Sequence, residues 1–98
     1  MIIIGEKING AIPSTGKAIA EKDVEFIRNL AIKQAEAGAN FIDVCASVDD
    51  DIELETMKWL IDIVQDAVDT PIAVDSPNVY TCIESMKYCK KPGLFNSV

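Results

Sequence analysis

This 98-residue sequence predicts an α/β fold of parallel strands in the order β-α-β-α-β-α-β. Three observations predict it. Short apolar runs lack a sustained apolar/polar alternation, as strands covered on both faces do. Between these runs, apolar residues recur at helical spacing. Polar residues gather just after each run, at the edge where parallel sheets bind their ligands.

The elements follow in order. Ile2-Ile3-Ile4 reads as the first strand. Asn9 to Lys22, with Gly10, Pro13, Ser14 and Gly16, reads as a loop longer than packing needs and therefore able to cover a site. Asp23 can cap a helix that buries Val24, Ile27, Leu30, Ala31 and Ala35, with Gly38 as its stop. Phe41 to Val44 reads as the second strand. The next helix opens near Asp50 or Asp51, where the helix dipole favours acidic residues, and carries Leu54, Met57, Leu60, Ile61, Val64 and Val68. Pro71 to Val74 is the third strand, with Pro in the one strand position it suits. Ser76 then caps a helix with Pro77 in its first turn, burying Val79, Cys82, Ile83 and Met86. Leu94-Phe95 is the fourth strand, and no helix follows to cover it.

That order describes an open sheet with two unpaired edges. The expectation is therefore the first half of a longer protein, or association through the exposed edges, as in a homodimer.

Composition narrows the function. Apolar residues make up 49%, enough to bury a core. The net charge of -7 disfavours a nucleic-acid backbone or an anionic membrane surface as main partner. No basic stretch precedes Met1 to Ile4, and no apolar run is long enough to span a bilayer, so a cytoplasmic protein is expected. Cys45, Cys82 and Cys89 lack metal-type spacing and read as reduced thiols. There is no His, which removes the usual general base and the common zinc ligand. Neither GxGxxG nor GxxxxGK[ST] occurs, so a nucleotide-binding module is disfavoured.

The strand ends hold the candidate residues. The first gives Glu6, Lys7 and Asn9, the second Asp43 and Cys45, the third Asp75 and Ser76, the fourth Asn96 and Ser97. Ser76 reads as a helix cap, which leaves Asp75 free for a pocket. Asp43 reads as buried, serving either structural hydrogen bonding or ligand orientation. Asp49-Asp50-Asp51 does not fit a calcium loop, so no metal is expected.

The segments "IIIGEKING", "FIDVCAS", "AVDSPN" and "LFNSV" occur in this order along the chain. Together they resemble the pterin-binding methyltransferases. These include the methyltetrahydrofolate:corrinoid protein methyltransferases, the folate domain of cobalamin-dependent methionine synthase and, more distantly, dihydropteroate synthase. The resemblance implies the first half of a TIM (β/α)8 barrel, three βα units and the fourth strand of a fold of roughly 250 residues. It implies that Asp75 and Asn96 hold the pterin ring, with Asp43, Asn9 and Ser97 as further candidates. Methyltetrahydrofolate would be the methyl donor and a corrinoid, carried by a partner protein, the acceptor. The corrinoid cobalt would supply the nucleophile, so the lack of His is no objection. A further pterin-binding Asp and an Asn near the reacting N5 would lie in the second half, leaving these residues alone inactive or nearly so. Relatives often carry Asn where this chain has Cys45. Two alternatives stay open: a dihydropteroate synthase-like enzyme and a non-catalytic, flavodoxin-like binding module.

Overall fold

The computed structural model describes residues 1–90 and 93–96, with the strand at 94–96 placed by its backbone. The elements are β1 (Ile4–Asn9), α1 (Pro13–Ala20), α2 (Val24–Glu36), β2 (Phe41–Cys45), α3 (Asp50–Ala67), β3 (Ile72–Asp75), α4 (Val79–Tyr88) and β4 (Leu94–Asn96). The four strands form one parallel sheet in the order β1-β2-β3-β4. Sequential order combined with right-handed crossovers brings every helix to the same side of the sheet. Each helix accordingly packs on the next, α1 on α2, α2 on α3 and α3 on α4.

Alternation along the strands then sorts their side chains. Ile8, Ile42, Val44, Ile72 and Val74 point to the helices and are buried there with Ile27, Met57, Leu60, Ile61 and Val64. Each such side chain withdrawn from water contributes about 1.5–3 kcal/mol. Asp43, Cys45 and Asp75 take the opposite phase and lie half-buried on the face without helices.

Local signals explain most boundaries. Asp23 caps α2 by accepting from Phe26 N–H at 3.2 Å, and Gly38, with φ of 96°, ends it in a conformation that other residues rarely adopt. The acidic first turn of α3 is as expected.

Four expectations need correction. The first strand runs from Ile4 to Asn9, and Ile2 and Ile3 are exposed. A bulge explains the shift. Gly5 pairs with Ile42 but Ile8 with Val44, so β1 carries one extra residue there. The Lys7 backbone at the bulge is held from the helix side: its N–H donates to Gln34 Oε1 at 3.0 Å, and its carbonyl accepts from Thr15 Oγ1 at 3.0 Å.

The predicted loop 9–22 contains α1. Pro13 opens it, and Thr15, Ala18 and Ile19 form its buried side. Gly16 and two hydroxyl residues hid that helix, since each is a poor helix former. The last helix starts at Val79, not at Ser76 or Pro77. Asn78 is its cap, accepting from Tyr80 N–H at 3.0 Å and Thr81 N–H at 3.4 Å. Its buried side is Thr81, Cys82 and Ser85, whereas Val79 and Ile83 are exposed, as is Val24 on α2.

Candidate functional site

The bare face of the sheet carries carboxylates at its C-terminal end. Asp43 sits in mid-β2 and Asp75 at the end of β3, with the same phase toward that face. The Asp43 carboxyl donates a hydrogen bond to Asp75, and Glu6 adds its charge from β1. Burial, then the Asp75 and Glu6 charges, then that hydrogen bond push the Asp43 carboxyl up to about 7. Asp43 is thus a carboxyl of this face that holds its proton well above the usual carboxylate range. Asp75 is thereby presented to the face as an acceptor.

Cys45, next along β2, is half-buried. Burial, followed by the charges of Asp75 and Asp43, raises its thiol to about 11. It stands neutral at the site and is no nucleophile.

Asn9 meets Cys45 in register at the same sheet end. Its side chain is already engaged in part: Oδ1 accepts from Ala11 N–H at 2.9 Å, closing the turn into α1. The β1–β2 approach here is tight, because Gly10 N–H donates to the Cys45 carbonyl at 2.9 Å and a Cβ at Gly10 would collide with the Ala46 carbonyl.

Asp75 is the register partner of Asn96 in β4. Adjacent strands lie about 4.8 Å apart, so the two backbones run side by side at the C-terminal end. Ser97 lies outside the described residues. Among the described residues, no group of three or more His, Cys, Asp or Glu is arranged to hold a metal ion.

Two residues escaped the sequence reading. Ser76, expected to cap a helix, is fully buried and donates from Oγ to Glu53 Oε2 at 2.6 Å. Glu53 is only 3% exposed. A signal for it was present: Glu53 shares the helical phase of Met57, Leu60 and Val64, the buried side of α3. Its place among first-turn acids pointed instead to the helix dipole.

No protein-family model matches the chain. A curated relative does, the methylcorrinoid:tetrahydrofolate methyltransferase of Eubacterium limosum, at 61% identity over all 98 residues. The chain spans 36% of that protein's length. The resemblance carried by the four strand-end segments is thus borne out, and this chain is similar along its whole length to a tetrahydrofolate–corrinoid methyltransferase.

Proposed function

We propose that these residues form the pterin-holding part of an enzyme that moves a methyl group between methyltetrahydrofolate and a corrinoid protein. One observation carries the reading: the β3–β4 register sets Asp75 opposite Asn96 at the sheet end where Asp43 and Cys45 also collect. A pterin edge presents adjacent N–H donors and a ring carbonyl. An ionised carboxylate accepts from the donors, and an Asn amide both donates and accepts. The proton on Asp43 keeps the paired carboxylates from repelling each other. The neutral Cys45 thiol leaves methyl transfer to the corrinoid, whose cobalt supplies the nucleophilic chemistry. The chain's own residues then bind and orient, which is where such a reaction gains most from its protein.

The relative's name writes the transfer from methylcorrinoid to tetrahydrofolate. A site that orients both reactants serves either direction, so the pocket reading is the same for both.

The barrel reading rests on the singly wound sheet. Strand order β1-β2-β3-β4 with one layer of helices is the pattern of consecutive barrel units. It is not the order of a doubly wound sheet, which tells against the flavodoxin-like alternative. Exposed Ile2 and Ile3 beside the open β1 edge, and Val79 and Ile83 on α4, fit surfaces that further βα units or a second copy would cover. No helix among the described residues is long and apolar enough to cross a membrane. We place the enzyme in the cytoplasm.

Calorimetric titration with tetrahydrofolate tests the site, comparing wild type, Asp75→Ala and Asn96→Ala. Loss of affinity in both variants is expected, and unchanged affinity in both removes the proposal. Assaying methyl transfer and dihydropteroate synthesis side by side separates the two enzyme readings. The relative's name favours the first, and the 98 residues alone are expected to show little turnover.

A further inference from the structure

Glu53 is placed where ordinary core logic would put an apolar side chain. It occupies the buried side of α3 with Thr56, Met57 and Leu60. Neither ion pair among the described residues involves it. Its Oε1 is enclosed and accepts from no described group, while Oε2 takes the Ser76 hydroxyl. A buried carboxylate satisfied on one oxygen is a poor choice for stability, and a well-packed apolar residue of similar volume commonly does as well or better.

What Glu53 holds gives it a purpose. Ser76 directly follows Asp75, and its Oγ also accepts from Asn78 N–H at 3.0 Å. Its carbonyl accepts from Cys82 Sγ at 3.5 Å. The chain leaving β3 is therefore tied to α4 by local bonds and to α3 by the Glu53 bond. Glu53 reaches this strand end from the helix side, while Asp75, one residue before Ser76, takes the opposite phase onto the bare face.

The geometry points to Glu53 as a positioning residue: by gripping the Ser76 hydroxyl from the helix side, it fixes the strand end that presents Asp75 on the bare face. The inference rests on the pterin-site reading for its ligand, but not for its first test.

That test uses the full chain without ligand. The Asp43 carboxyl is followed by carbon NMR across pH in wild type, Glu53→Met, Glu53→Gln and Ser76→Ala. Asp43 feels Asp75 and Glu6, and Glu53 is not among the groups that shift it. A change in its midpoint therefore reports on where Asp75 is held. Glu53→Met and Ser76→Ala should lower the midpoint by about one pH unit. Glu53→Gln, whose amide oxygen can still accept from Ser76, should restore it. Thermal unfolding should show Glu53→Met no less stable than wild type. A midpoint that stays put in Glu53→Met overturns the inference, and so does a shift that merely accompanies loss of the fold. Titration with tetrahydrofolate is the second test. Where wild type binds, Glu53→Met should weaken binding about fivefold and Glu53→Gln by less than about twofold; equal affinity in all three also overturns it. Failure of wild type to bind tetrahydrofolate would sink the proposed function and leave the Asp43 titration to decide the role of Glu53.

Discussion

Replacing Asp43 with Asn should make the protein more stable at alkaline pH and indifferent to pH where wild type is not. In the fold the Asp43 carboxyl is raised from 3.8 to about 7. The folded state therefore holds a proton that the unfolded chain has released, and stability falls as pH rises between those two values. A rise of about three pH units corresponds to about 4 kcal/mol at full ionisation. Asp43 is half-buried, and solvent screening reduces this to about 2 kcal/mol. Asn resembles the protonated acid and can still donate to Asp75, so it escapes the loss. The assay is thermal unfolding of both proteins from about pH 3 to about pH 9. The two should nearly coincide at the acid end, and at the alkaline end the variant should melt roughly 10 °C higher. The other carboxylates are common to both proteins, so the difference isolates Asp43. Parallel profiles would refute the proton held on Asp43 in the fold.

Two further outcomes are expected. Asn78→Ala should cost about 1 kcal/mol in urea unfolding, because Asn78 satisfies the free N–H groups at the start of α4; a cost near zero would return the capping role to Ser76. Cys45 should react with iodoacetamide about 100-fold more slowly in the folded chain than in urea at about pH 8, given its thiol near 11; equal rates would show that the thiol is not shielded by burial and the neighbouring carboxylates.

The sequence made α2, α3 and the strand ends legible because they depend on local pattern. Asp23 and Gly38 bracketed α2 through capping chemistry and a positive φ, and Met57, Leu60, Ile61 and Val64 announced α3 by their spacing. Asp43 and Asp75 could be named from sequence, but their hydrogen bond could not, because it depends on the phase of two strands 30 residues apart brought together by pairing. Thr15 and Gln34 were invisible for a related reason. Each is polar and unremarkable in its own helix, and becomes necessary only against the Lys7 backbone. The last helix misled because its inner side is Thr81, Cys82 and Ser85, small residues suited to close approach, while its larger apolar residues face outward.

The additional residue in β1 acts as a parity switch. With even pairing from Gly5 onward, Lys7 would fall opposite Val44 and Ile8 opposite Cys45, sending an ammonium toward the helices and an isoleucine onto the bare face. The irregularity reverses that assignment, giving Ile8 to the interior and Asn9 to the bare face beside Cys45. Ironing out the irregularity at constant length would therefore exchange inside for outside along the rest of the strand, whereas deleting a single position between Gly5 and Ile8 would leave Ile8 opposite Val44 and Asn9 opposite Cys45.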